Sequence, residues 1–301
     1  MANQAQIAKT NEIETWYETF GEKENPALLL AMGGLCQGIL WPKEFCEQLA
    51  EQGFFVIRYD YRDSGLSTCF DYTSHPYDLL DMAKDAIGLL DFLKIKTANV
   101  CGLSMGGPVA ELMAVHFPDR VHSLTLIATS CDLRPSSLAY DKQSSNETSL
   151  PRPTENYLKW MHRFLQKVPQ NESEKLDQRV ECWSILNGSV APFEEERYRE
   201  LHAEFLRRLR HPESLTNHLE AIKSSFQMIV DVPFHVTVPT VVIHGTEDPI
   251  LQPIHGETLA KSISGAKFVL VEGFGHVPNR LFYPIFIKEI TEIAHTRKLQ
   301  S

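Results

Sequence analysis

The sequence predicts an α/β fold: a mostly parallel central sheet with helices on its faces and a helical segment inserted late in the chain. Two observations predict it. From Ala27 onward, short and nearly continuous apolar runs alternate with amphipathic stretches, as buried parallel strands and crossover helices require. Residues 131–231 then break the alternation, being polar and charge-rich, with three or four helix-period segments and no convincing buried strand, before it resumes. A chain of 301 residues suits one such core carrying one insertion.

The first strand expected is ALLLAMG at 27–33, followed by a helix over 41–52 that stops at Gly53. FFVIRYD (54–60) is the next strand, and PYDLLDMAKDAIGLLDFLK (76–94) the next helix, with proline at its tolerated first turn. ANVCGL (98–103) leads into a third helix near 105–117, and SLTLIAT (123–129) follows. After the insertion come TVVIHG (240–245), a helix near 254–263, KFVLVE (267–272) and a last helix near 278–296. The core is therefore expected in two pieces, 1–130 and 232–301, with 131–231 as a helical cap. The cap opens on PSSLAYDKQSSNETSLPRP, whose Ser, Asn and Pro clustering reads as a mobile loop. FEEERYRELHAEFLRRLR reads as a solvated cap helix with an apolar stripe of Leu201, Phe205 and Leu209.

Composition narrows the function. Hydrophobic residues are 43% and charged residues 23%, a globular balance. The net charge of -10, from 39 acids against 29 bases, repels phosphate backbones and anionic lipid, so neither nucleic acid nor a membrane is expected as partner. No apolar run approaches the roughly 20 residues of a spanning helix. The opening MANQAQIAKT lacks a basic cluster followed by an apolar core, so a cytoplasmic location is expected. Six cysteines show neither CxxC nor Cys/His ligand spacing, which predicts buried thiols and no metal site. Triplets of the N-x-[ST] form at Asn146, Asn171 and Asn187 read as chance occurrences in such a protein.

The chemistry centres on Gly102-Leu103-Ser104-Met105-Gly106-Gly107, a G-x-S-x-G placed between a predicted strand and a predicted helix. A serine on so tight a turn projects its hydroxyl away from the sheet, and small residues two before and two after let backbones approach closely. A serine hydroxyl is a poor nucleophile until a base takes its proton and a third group orients that base. Asp248, in HGTEDPI just past a strand, is the candidate acid, with Glu247 as its local competitor. His276, in EGFGHVP between the last strand and last helix, is the candidate base; His244 and His255 fit less well, one inside a strand and one in a helix. The order Ser104, Asp248, His276 is that of nucleophile, acid and histidine in folds of this kind. Attack on a carbonyl also needs donors for the oxyanion. The amides of Met105, after the nucleophile, and of Gly34, in the Gly33-Gly34 turn after the first strand, are assigned that task. Leu35, Trp41, Met105 and Val277 are pocket-lining candidates by position.

At these residues the chain resembles the α/β-hydrolase superfamily. MGGLCQGILWPKEF, VIRYDYRDSGLST and GLSMGG together look like the aclacinomycin methylesterase type, the resemblance being close over about residues 27–130 and moderate over 239–278. Met32-Gly33 where the superfamily commonly has His-Gly, and Arg62-Asp63-Ser64-Gly65 for Arg-Gly-x-Gly, resemble the same group. The resemblance implies the α/β-hydrolase fold, a cofactor-free serine esterase acting on a small-molecule ester, and a helical lid. Asp60 and Asp63 are expected to be hydrogen-bonded loop residues instead of catalytic acids. Spacing alone leaves perhydrolysis, lactone opening, carbon-carbon hydrolysis and peptidase action open on the same triad. It equally leaves open a ligand receptor that keeps the triad, and any oligomeric state.

Overall fold

The structure, a computed structural model, describes residues 6–139 and 148–296. The middle of the stretch expected to be a mobile loop, and the triplet at Asn146, lie outside the described residues.

Among the described residues, eight strands form one sheet in the order β1-β2-β4-β3-β5-β6-β7-β8. Two of them precede Ala27, where no strand was anticipated. These are β1 (Gln6–Thr10) and β2 (Ile13–Phe20), an antiparallel hairpin closed by Asn11 and Glu12, both at positive φ. Such a two-residue turn matches the twist of the strands it joins. β3 (Ala27–Ala31), β4 (Phe55–Tyr59), β5 (Ala98–Leu103), β6 (Val121–Ile127), β7 (Thr240–Gly245) and β8 (Lys267–Val271) pair with one another in parallel, and β2 pairs antiparallel with both β1 and β4.

Alternate residues of a strand face opposite sides of the sheet, which divides the core into two layers. Leu29, Ile57, Val100 and Val242 pack with helices α2 (Leu79–Phe92), α3 (Gly106–His116) and α10 (Pro253–Ser262). Leu28, Leu30, Val56, Cys101 and Ile243 pack on the other side with α1 (Lys43–Glu51) and α11 (Tyr283–His295). Fully burying such side chains stabilises by about 1.5–3 kcal/mol each before entropy is counted.

Helix starts moved where capping chemistry decided them. α2 begins at Leu79, three residues after the expected proline start, because Asp78 and Asp81 form a reciprocal capping box: the Asp81 amide donates to Asp78 Oδ1 at 3.0 Å and the Asp78 amide to Asp81 Oδ2 at 3.3 Å. α11 is preceded by a 3-10 turn at Arg280–Phe282, started by Asn279 Oδ1 accepting the Leu281 amide at 2.9 Å.

Between β6 and β7 the described residues hold helices alone: α4 (Arg134–Ser137), α5 (Glu155–Gln166), α6 (Glu172–Leu186), α7 (Glu195–Arg208), α8 (Asn217–Ser224) and α9 (Phe226–Asp231). α7 is less solvated than its charge suggested. Its buried face is Tyr198, His202 and Phe205, with Leu201 and Leu209 only half-buried, so the stripe is rotated from the one expected. Its Arg208 reaches into the core: Nη2 donates to the fully buried Asp60 at 2.6 Å, which also accepts the amides of Gly38 at 2.8 Å and Leu66 at 3.0 Å. Asp63 likewise accepts from the Phe70 amide, Tyr77 and Asn217. Both aspartates thus have loop-holding partners.

Candidate active site

The turn from β5 into α3 leaves little room for alternatives to glycine. A Cβ on Gly102 would lie 2.2 Å from the Gly106 carbonyl oxygen, one on Gly106 would lie 2.2 Å from that of Ala31, and one on Gly107 would meet Thr129 Oγ1 at 2.4 Å. Between them Ser104 sits at φ 52°, a left-handed conformation that costs an L-residue roughly 1–2 kcal/mol. The fold holds it there: the Ser104 amide donates to the Ile127 carbonyl at 3.0 Å, and its own carbonyl accepts from Thr129 Oγ1 at 2.8 Å and the Gly107 amide at 2.8 Å. Ser104 stays half-buried.

His276 comes to this serine from the loop between β8 and α11. Its Nε2 lies 3.1 Å from Ser104 Oγ and its Nδ1 lies 2.7 Å from Asp248 Oδ2. Asp248 is fixed from the other side, its Oδ1 accepting the amides of Ile250 and Leu251, each at 2.9 Å. The His276 backbone is pinned as well: the Leu186 carbonyl at the end of α6 accepts the His276 amide at 2.7 Å and the Val277 amide at 3.3 Å. The three residues singled out from chain order therefore form one hydrogen-bonded line.

Their competitors are engaged elsewhere. Glu247 accepts from the Ser189 amide and hydroxyl. His244 is 3.6 Å from Asp248 Oδ2, but its Nε2–H donates to the Leu251 carbonyl at 2.7 Å, and burial holds its pKa below the ordinary value. His255 is spanned between Ser130 Oγ at 2.8 Å and the Pro151 carbonyl at 2.9 Å.

Gly34 and Met105 lie side by side, a Cβ on Gly34 falling 3.2 Å from Met105 Sδ, while Gly33 abuts Ser104 in the same way at 3.4 Å from its Cβ. The next amide, Leu35, is already committed to His218 Nδ1 at 3.1 Å. His218 was not singled out from the sequence, and nothing in LTNHLEAIK marks it apart from a buried helix position. Of the lining candidates, Leu35 is half-buried, and Met105 and Val277 are buried beside the serine and histidine they adjoin. Trp41 is placed otherwise: fully buried, it stacks on Phe45 at 5.6 Å, and its carbonyl takes Arg58 Nη1 and the Cys46 thiol. Its contacts are those of a core residue between the sheet and α1.

Among the described residues no group of His, Cys, Asp or Glu is arranged to hold a metal ion, and no helix is long and apolar enough to cross a membrane. All six cysteines are free thiols; Cys46, Cys101 and Cys131 are buried, Cys36, Cys69 and Cys182 half-buried.

Comparison with known proteins agrees with this architecture. Rhodomycin D methylesterase DnrP of Streptomyces peucetius is 34% identical over 300 residues, covering 95% of this chain and 96% of its own. Rhodomycin D methylesterase DauP of Streptomyces sp. strain C5 is 33% identical over the same shares of both chains. Among solved structures, the esterase EaEST from Exiguobacterium antarcticum superposes with a TM-score of 0.76 at 17% identity, covering 97% of this chain and 100% of that one, a likeness of fold. The sequence matches the alpha/beta hydrolase fold family over residues 26–279, and with the sheet order and elbow described above the chain belongs to that family.

Proposed function

We propose that this chain hydrolyses carboxylic esters, methyl esters among them, with Ser104 as nucleophile, His276 as general base and acid, and Asp248 as the residue that orients His276. The line Ser104 Oγ, His276 Nε2 and Nδ1, Asp248 Oδ2, with spacings of 3.1 and 2.7 Å, carries the reading. Two relatives named as methylesterases, similar over nearly the whole chain, support the choice of ester.

In this mechanism His276 Nε2 takes the Ser104 proton as Oγ bonds to the ester carbonyl carbon. The carbonyl oxygen becomes an oxyanion that accepts from the Gly34 and Met105 amides, where the start of α3 also favours negative charge. Collapse breaks the bond to the alcohol oxygen, which leaves with the proton from His276. Water then attacks the acyl-enzyme by the same route, releasing the acid and restoring the Ser104 hydroxyl. Asp248 accepts from Nδ1–H, keeping Nε2 free as the base. Residues 131–231 serve in this reading as a cap whose α6 and α8 border the site.

The test is a panel of p-nitrophenyl acyl esters and methyl esters against wild type, Ser104→Ala and His276→Ala. Wild type turns over, both variants fall by about a thousandfold or more in kcat, and a serine-directed phosphonate labels Ser104 alone. Undiminished hydrolysis by Ser104→Ala would sink the proposal.

A further inference from the structure

Arg179, on α6, has no carboxylate against it among the described residues. Its Nε–H donates to His202 Nδ1 at 3.3 Å, and its guanidinium lies on the Phe205 ring, 3.5 Å from the centroid. The remaining near charges would be those of Cys36 and Cys182, but burial pushes these thiols up to about 11 and about 12, so both are neutral near pH 7. His202 is neutral too, its pKa drawn down to about 3 by burial and by the Arg179 charge. Glu181, two positions on, is turned to the Trp160 indole N–H at 2.9 Å. A cation desolvated in this way without an anion is costly, and proteins ordinarily pair it.

The position of Arg179 says what could pair it. Arg179, Cys182 and Leu186 follow one another at helical spacing on one face of α6, and the Leu186 carbonyl is the one that holds His276. Seven residues of helix set Arg179 roughly 10 Å along α6 from that end. Across from it is the loop that supplies Gly34: Cys36 neighbours the guanidinium, and the next residue, Gln37, is tied by its Nε2 to the Phe205 carbonyl at 2.9 Å. Leu35, Cys36, Arg179 and Cys182 are each half-buried, as is Ser104. The Nη atoms of Arg179, given no protein acceptor among the described residues, present the flat fork that suits a carboxylate.

We infer that Arg179 is the anchor for a carboxylate carried by the substrate remote from its scissile ester. This makes the preferred substrate an acidic ester. The inference rests on the esterase reading and names the substrate class for that site. Phe205 and His202 are positioning residues that hold the fork flat and leave its outer edge to the ligand.

The experiment compares monomethyl esters of straight-chain dicarboxylic acids of graded length with neutral methyl esters of equal length, monomethyl suberate against methyl octanoate among them. Wild type should favour the acidic member, with an optimum length. Arg179→Gln should lower kcat/KM for it by about 30-fold or more, through KM, while changing the neutral ester less than about threefold. Arg179→Lys should recover part of the loss. Calorimetric binding of monomethyl suberate to Ser104→Ala, with and without Arg179→Gln, reads anchoring without turnover, so a failed esterase reading and a failed anchor are told apart. Equal loss on both esters, no preference by wild type, or unchanged binding in the double variant would overturn the inference.

Discussion

The Leu35 amide donates to His218 Nδ1 at 3.1 Å, and the opposite edge of that imidazole, Nε2–H, donates to the Arg62 carbonyl at 2.8 Å. One neutral histidine from α8 therefore braces two core loops at once. Its pKa is drawn below the ordinary value by burial, which keeps Nδ1 an acceptor. Leu35 sits at φ 60°, and the amide just before it is that of Gly34. The bond to His218 commits the Leu35 N–H; the Gly34 N–H is the one assigned to the oxyanion in the proposed mechanism.

If Gly34 supplies an oxyanion donor as proposed, His218→Ala should lower kcat by about 10- to 100-fold with little change in KM, since the loop that holds it loses its brace. His218→Asn, which retains an acceptor near the Nδ1 position, should recover part of the rate. Steady-state kinetics on a p-nitrophenyl ester decides it; a rise in KM alone would count against a role in placing Gly34.

Strain at the elbow has its own signature. Ser104→Gly should be more stable than Ser104→Ala by about 1 kcal/mol, because glycine adopts φ near +52° without a Cβ clash. Both lack the hydroxyl, so the difference is read from urea midpoints and not from turnover. Equal midpoints would show that Ser104 is unstrained.

Arg208→Met should destabilise by about 3–5 kcal/mol, leaving the Asp60 carboxylate buried with only its two amide donors. The double variant Arg208→Met, Asp60→Asn should regain much of that loss. A double-mutant cycle on unfolding free energies measures the coupling, and simple additivity would contradict it.

Four buried histidines should make this fold lose stability as pH drops below about 6.5. His202, His218, His244 and His255 are all held below the ordinary histidine pKa by burial. Below about pH 6.5 the unfolded chain takes up protons that these folded imidazoles refuse, so stability falls as pH drops. For His202 the fall continues down to about pH 3. Urea midpoints at pH 7.5 and 5.5 should shift when His202 is removed, His202→Phe gaining on wild type at the lower pH; an identical pH dependence in wild type and His202→Phe would refute the account.

Glu111, on α3 behind the elbow, is fully buried with both carboxyl oxygens unpartnered among the described residues, and burial raises its pKa well above the ordinary value. An acid whose folded pKa is raised contributes stability at low pH that is lost as pH climbs past the unfolded pKa. Glu111→Gln should therefore gain on wild type progressively as pH rises from 5 to 8. Thermal unfolding across that range reads it, and a constant offset would argue against titration.

Much of this architecture was legible because a parallel core writes its strands as apolar runs: β5 and β7 fall on the expected residues. The elbow was legible through its glycines, whose spacing reflects backbones in contact at Ala31 and Gly106. The hairpin β1–β2 was overlooked although IETWYETF is rich in β-branched and aromatic residues, since its apolar residues are interrupted by Glu14, Thr15, Glu18 and Thr19 and form no long apolar run. His218, Leu186 and Arg179 were invisible for a different reason. Each meets its partners on another element of the fold, the Leu35 amide lying 183 positions from His218, and no local pattern encodes such a meeting.

The carbonyl of Leu186 has a bearing on how such proteins can be remade. Because this one atom ends α6 and also fixes the His276 amide, the helix that borders the site and the loop that carries the imidazole share a hinge pin. Chimaeras that exchange the helical segment between relatives would shift the imidazole unless the junction at 186–189 travels with its own 276–277 loop. Variants that keep that pairing can alter the helix upstream while His276 stays in register with Ser104.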